Sequence, residues 1–219
     1  LRSRWVAAAP AATRFLLVRH GETQHNLRGI LQGQLDTQLN DTGRRQARQL
    51  AECLRREQVD RVLSSPLSRA IDTARAIAEY HPKAEFSKDA RLKEYNLGKL
   101  QGRPKTDPYC MQVFSDPRVQ DGNPYFRYPG GETPQEVAVR ACAALTAAAT
   151  GGTVLVVSHA GPLSAIIRRA SLGGGQLVVT HPLTNCSVTE VAYRPGLGLC
   201  LGGAVYQGAV AGRGDAMSL

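Results

Sequence analysis

The sequence has little of what marks several large classes of protein. Aromatic residues make up 5% of it, and no basic run is interleaved with them, so the surface of a nucleic-acid binder is not expected. No CxxC pair occurs. The five cysteines, Cys53, Cys110, Cys142, Cys186 and Cys200, are odd in number and far apart. That spacing argues against a disulfide framework and offers no metal-ligand set, leaving buried, reduced thiols as the expectation. No apolar run is long enough to cross a bilayer, so no membrane is expected as a partner. No internal repeat is visible, and no heptad or large apolar stripe betrays an oligomeric state.

Acidic residues are also scarce at the start, the first being Glu22. Leu1 to Thr13 has no apolar core followed by a cleavage site, so a secretory signal is not expected. Arg2, Arg4 and Arg14 among many alanines faintly resemble a transit peptide. An ordered or frayed extension in a cytoplasmic protein is the main expectation, with organellar targeting by a longer N-terminus as the alternative.

What is present fits one globular domain. The chain has 219 residues, 42% hydrophobic and 21% charged. Net charge is +9, from 27 basic and 18 acidic residues, which suits an anionic partner. Much of the surplus is helical arginine (Arg44, Arg45, Arg48, Arg55, Arg56), expected on a solvated face.

Strands and helices alternate, which predicts an α/β fold. Arg14 to Val18 reads as a buried strand. Asn40 caps a helix to about Glu57 whose Ala47, Leu50, Ala51 and Leu54 share a face. Arg61 to Leu63 is a short strand, and Ser65-Pro66 reads as the cap and first turn of the next helix. Lys88 to Tyr128 reads as mostly loop with short helical pieces over the active site. Thr133, Pro134 and Glu136 form a capping box for a helix to about Ala149. Thr153 to Ser158 is the clearest buried strand, and Gly161-Pro162 opens a helix after it. Cys186 to Tyr193 is a further strand, with a partner near Leu199 to Tyr206. The domain organisation expected is an extension over 1–13, one domain over 14–207 with a lid-like insertion at about 88–128, and a tail over 208–219.

Arg19, His20 and Gly21 directly follow the first strand, where ligands bind at the carboxyl edge of a parallel sheet. There a histidine can attack phosphorus, and an arginine can grip two phosphate oxygens with its planar fork. His159 and Gly161 stand in a similar setting, with a helix N-terminus that favours an anion. Arg69 lies in the first turn of the Ser65-Pro66 helix and leans back toward the sheet edge. Glu94, in a turn-like stretch, can supply a proton to a leaving group. Taken singly, such a histidine is ordinarily a core or capping residue, and such an arginine or glutamate a surface one. Two strand-end histidines, one set in Arg19-His20-Gly21-Glu22-Thr23, outweigh that reading.

In that motif the chain resembles the histidine phosphatase superfamily, also called the phosphoglycerate mutase-like family. The resemblance runs from about Phe15 to Tyr193. It takes in Leu17 to Thr23 with Asn26, Gly33-Gln34-Leu35-Asp36 with Leu39 and Gly43, and Ser64 to Ala70 with Thr73. It continues through Leu92 and Glu94 with Gly98 and Gly102, Pro129 to Thr133, Val156 to Gly161, and Asn185 to Val188. The resemblance implies a three-layer fold, a mostly parallel central sheet with helices on both faces. It implies His20 as the phosphorylated nucleophile, with Arg19, Arg69 and His159 as the rest of the phosphate pocket. Asn26 is implied as a further donor, Glu94 as general acid and then base, and Gln32, Gly33 and Ala160 as substrate contacts. No cofactor and no metal are implied. Many phosphatase members carry Glu-Gly where this chain has Gln101-Gly102, which changes the pocket rim. His25 is a weaker candidate for substrate contact, and His81 and His181 are expected to be structural or exposed.

The expected activity is metal-independent hydrolysis of a small phosphorylated metabolite. The alternatives are mutase-type phosphoryl transfer and a phosphoprotein phosphatase or binding module. Dedicated glycolytic mutases of the family have a longer segment between the pocket arginine and second histidine, and the compact stretch from Arg69 to His159 favours hydrolysis. Lys93, Lys99, Arg103, Lys105 and Arg127 in the insertion suggest an anionic substrate with charge beyond its reacting phosphate, and generic surface charge is an equal reading.

Overall fold

The computed structural model describes residues 12–172 and 183–206. The expected extension (apart from its last two residues), His181 and the tail lie outside them. Six strands form one sheet in the order β3-β2-β4-β1-β5-β6. They are β1 (Thr13–Arg19), β2 (Arg61–Ser64), β3 (Glu85–Lys88), β4 (Gly152–Ser158), β5 (Val188–Arg194) and β6 (Gly198–Tyr206). The pairs β1–β4, β2–β4 and β2–β3 are parallel, whereas β5 and β6 add an antiparallel edge.

Strand alternation builds the layers. Leu16 and Val18 of β1 pack on one face with Leu155 and Val157 of β4. Phe15 and Leu17 pack on the other with Val154 and Val156. The first face is covered by α2 (Asp41–Leu54) and α3 (Ser68–Ala78), through Ala47, Leu50, Ala51 and Leu54 and through Ala70, Ala74 and Ile77. The second is covered by α6 (Pro134–Ala148) and α7 (Ala160–Leu172), through Ala141, Ala144 and Leu145 and through Leu163, Ile166 and Ala170. Both faces of the central strands are therefore apolar, as a parallel sheet between helices requires. Each fully buried leucine or valine here contributes on the order of 1.5–3 kcal/mol.

Short helices α1 (Gln24–Leu27), α4 (Pro108–Phe114) and α5 (Pro117–Gln120) lie in the connections, with 3-10 turns at Ala90–Leu92 and Gly98–Leu100. Asn40 caps α2 through Gly43 N at 2.8 Å, and Thr133 and Glu136 form the capping box of α6. The arginines of α2 are exposed as expected.

Two expectations need correction, and one strand lay outside the sequence reading. Helix α3 begins at Ser68, with Leu67 at its cap position and no side-chain cap, so Ser65-Pro66 precedes the helix. Edge strand β3 has all four residues exposed, which erases the alternation that would have announced it. All five thiols are free, but only Cys110 and Cys186 are buried, and Cys53 is exposed.

Candidate active site

Strands β1 and β4 are neighbours in register, Arg19 opposite Ser158, so the residues that follow them emerge side by side. This brings His20 and His159 together, their ring centroids 5.1 Å apart at 59°. The rings differ in their bonding. His20 Nδ1 lies 2.7 Å from Gly21 O. A carbonyl can only accept, so Nδ1 carries the hydrogen and Nε2 keeps its lone pair. His159 uses Nε2 on Ser65 Oγ at 2.8 Å, and its Nδ1 is buried without a partner.

Burial, then the charges of Arg69 and Arg19, hold the His20 imidazole well below its ordinary pKa. Burial, Arg69 and His20 do the same to His159. Both rings are accordingly neutral at neutral pH, as a nitrogen nucleophile must be.

Arg69, fully buried at the start of α3, donates from Nη2 to Gly33 O at 2.8 Å and from Nη1 to Leu35 O at 2.7 Å. Burial lowers its pKa to about 10, so it stays charged. Arg19 donates from Nη1 to Leu183 O, and the Nε of each arginine is buried without a partner.

A cavity of about 220 Å³ brings together Arg19, His20, Asn26, Gln32, Gly33, Arg69 and Glu94. Asn26 Oδ1 accepts from Thr23 N at 3.1 Å, which leaves its NH2 as the donor end for a ligand. Gln32 Oε1 accepts from Thr23 Oγ1 at 3.0 Å and Thr37 Oγ1 at 2.5 Å, so its acceptor end is occupied within the protein. His159 packs behind His20, and neither it nor Ala160, the first residue of α7, borders this cavity. His25 does not border it either. His81 is buried, as its structural reading expected.

Glu94 Oε1 accepts from Tyr95 N at 2.9 Å and Gly161 N at 3.2 Å, while Oε2 has only a contact of 3.5 Å to Gly161 N. Burial raises the Glu94 pKa above its ordinary value, against the bond from Tyr95 N and the charge of Arg69. The first turn of α7, expected to face the substrate anion, thus spends the Gly161 N–H on the protein's own carboxyl. Glycine is needed there because a Cβ would fall 2.2 Å from Tyr95 Cδ2 and 2.4 Å from Glu94 Oε1.

A family model for the histidine phosphatase superfamily, branch 1, matches residues 15–201. The chain belongs to that superfamily. It is similar to phosphoglycerate mutase-like protein 4 of Arabidopsis thaliana, 37% identical over 164 residues that cover 71% of this chain and 70% of the other. Among solved structures, mycobacterial hydrolase 1 superposes with a TM-score of 0.74 at 28% identity, covering 90% of this chain and 100% of that one. Native mycobacterial glucosyl-3-phosphoglycerate phosphatase gives 0.67 at 30% identity, covering 87% and 97%.

In this superfamily member, several residues that were given no catalytic or binding role from sequence also shape the site. Arg140 of α6 donates to Lys93 O at 2.6 Å, Arg91 O at 2.7 Å and Glu94 O at 2.9 Å. Its Nε is paired with Glu132 at 2.9 Å, and Glu132 Oε2 in turn accepts from Asn96 N at 2.7 Å. The two side chains buttress the turn that carries Glu94. Gln34 Nε2 adds a bond to Glu94 O at 3.1 Å, and Gln101, the departure from the common Glu-Gly, accepts from Gln34 N at 2.7 Å. Asn185 Nδ2 donates to His20 O at 2.8 Å. Of the five basic insertion residues, only Lys105 borders the cavity. Arg103 pairs with Asp107 and Arg127 with Glu136.

No helix among the described residues is long and apolar enough to cross a membrane. No group of three or more His, Cys, Asp or Glu side chains able to hold a metal occurs among them.

Proposed function

We propose that the protein is a phosphomonoester hydrolase that works through a phosphohistidine on His20, with a small phosphorylated metabolite as substrate. The observation that carries this reading is the neutral His20 ring, its Nδ1–H fixed on Gly21 O and its free Nε2 in one cavity with two guanidinium groups and a protonatable carboxyl. In the first step Nε2 attacks phosphorus and the ester P–O bond breaks. The leaving oxygen takes a proton from Glu94, which Oε2, the less engaged oxygen, supplies. Arg19, Arg69 and the Asn26 amide stabilise the charge on the equatorial oxygens, and His159 braces the nucleophile from behind. In the second step water attacks the phosphohistidine, gives its proton to the Glu94 carboxylate, and the P–N bond breaks to restore the imidazole. The stretch at about 88–128 serves as a lid. It is joined to the pocket rim by Leu31 N to Arg103 O at 2.9 Å and Gly102 N to Leu31 O at 2.7 Å.

The likeness to a phosphoglycerate mutase-like protein supports a second reading, return of the phosphoryl group to another oxygen of the product. Turnover in 18O-labelled water separates the two. A hydrolase releases phosphate carrying one 18O atom, whereas a mutase yields an unlabelled phosphorylated isomer and overturns the first reading.

Glu94→Gln keeps the shape and loses the proton. Its first-step rate is expected to fall by about 10²- to 10⁴-fold on an alkyl phosphate, and far less on p-nitrophenyl phosphate, whose leaving group needs little protonation. The pH profile gives the sign. In the wild type the alkyl reaction needs His20 neutral and Glu94 protonated. The lowered His20 pKa keeps the rate up on the acid side, and the rate falls as pH rises through the raised Glu94 pKa. That alkaline limb should vanish in the variant. Equal losses of the step-resolved rate on both substrates would show that Glu94 is not the acid.

Activity is expected to survive EDTA, because the two guanidinium groups supply the positive charge that a metal otherwise brings. Loss in EDTA, restored by one defined divalent ion, contradicts this.

A further inference from the structure

A second cavity of about 690 Å³ lies between α6, α7 and residues 119–128. It shares two walls, Tyr95 and Gly161, with the smaller cavity at His20. These are the residues whose backbone N–H groups hold the Glu94 carboxyl. The carboxyl therefore stands at the seam between the two spaces, and an oxygen that it protonates lies at that seam as well. Pockets for small molecules commonly measure roughly 300–1,000 Å³. At about 220 Å³ the smaller cavity falls below that range, so the body attached to the leaving oxygen extends into the larger one.

The larger cavity has a distinctive lining. Aromatic residues are 5% of the chain, yet three of them meet edge to face here. Tyr95 and Tyr128 lie 6.1 Å apart and Phe126 and Tyr128 5.5 Å, both at 86°. Ala138 of α6 borders the same space. So do Arg168 and Arg169 of α7, both exposed and paired with no acidic side chain among the described residues. We infer that this groove receives the leaving alcohol of the substrate, and that the alcohol bears an aromatic ring together with a second anionic group. The ring packs among the three aromatic side chains and the anion meets the arginine pair. The inference rests on the reading of Glu94 as the proton donor.

Three alkyl phosphates with similar leaving groups test it: ethyl phosphate, 2-phenylethyl phosphate and 2-(4-carboxyphenyl)ethyl phosphate. In the wild type, kcat/KM is expected to rise about tenfold or more from the first to the second, and about fivefold again to the third. Ala138→Trp, which fills the groove, lowers the preference for the ring about tenfold. The double variant Arg168→Ala, Arg169→Ala removes only the gain from the carboxylate. Three rates within about twofold of one another in the wild type, or ratios that neither variant moves, overturn the inference. Inactivity toward all three sinks the hydrolase reading instead. The groove is then judged by calorimetry with 2-(4-carboxyphenyl)ethanol, which carries no phosphate. Binding to the wild type that Ala138→Trp abolishes upholds the groove, and absent or unaltered binding overturns it.

Discussion

His20→Ala is expected to lower kcat/KM by about 10⁴-fold or more, and to abolish the acid-labile, base-stable label that rapid quenching traps from a 32P-labelled substrate. The expected size follows from losing the nucleophile itself, after which only binding and charge stabilisation remain. His159 cannot take over, because it is fully buried, its Nε2 is held by Ser65 and it lies outside the cavity wall. The fold should persist. The side-chain bond lost is to a neighbouring carbonyl, and the Asn185 bond goes to the backbone oxygen of residue 20, which alanine keeps. Label trapped on another residue, or near-normal turnover by the variant, would end the phospho-His20 reading.

Arg69→Ala should show the next largest effect, in two readouts. A charge-assisted contact to a transferring phosphoryl group is worth on the order of 3 kcal/mol, or roughly a hundredfold in rate. A surface arginine could be removed with little cost in stability, but Arg69 is not at the surface. Arg69 is wholly buried and its two terminal nitrogens hold Gly33 O and Leu35 O. Removing it strands those carbonyls and leaves a void. A further loss of about 3 kcal/mol in stability, or roughly 6–12 °C in Tm for a chain of this size, is expected. Arg69→Lys should recover part of the stability and little of the rate, since one ammonium cannot reproduce the fork. A variant with unchanged kcat/KM and unchanged Tm would place Arg69 outside both roles.

The contrast between those variants shows where sequence reading reaches and where it stops. The central strands were legible because both of their faces are apolar, and α2 because its four core residues repeat at helical spacing. His20, His159 and Arg69 were legible because strand ends and a helix start are fixed points of an α/β fold. Strand β3 was not, since pairing at an exposed edge leaves no hydrophobic pattern. Ser65 looked like a helix cap, whereas its hydroxyl is engaged with a histidine 94 residues further along the chain. Arg140 drew no reading at all, and Glu132 stood only as part of a motif ahead of α6. What they do depends on a turn more than forty residues away from Arg140, and no local pattern encodes that. The basic insertion residues could not be sorted for a related reason: a charge in a sequence does not reveal that a neighbouring carboxylate neutralises it, as Asp107 does for Arg103, or that it borders a cavity, as Lys105 does.

The buttress behind Glu94 also bears on how such a protein diversifies. Asn96 and Glu132 bond to each other through both backbone and side chain, and Lys99 N meets Pro129 O at 2.9 Å, so the chain is clasped where it leaves for the insertion and where it returns. Everything between the two clasps is a loop closed at its base. Beyond Gln101, changes in that loop are expected to leave the carboxyl in place, because the groups that hold it, Tyr95 N and Gly161 N, and the Arg140 bond to Glu94 O all lie outside the loop. On the proposed reading, substitutions in the loop are expected to alter substrate preference while the proton donor keeps its place.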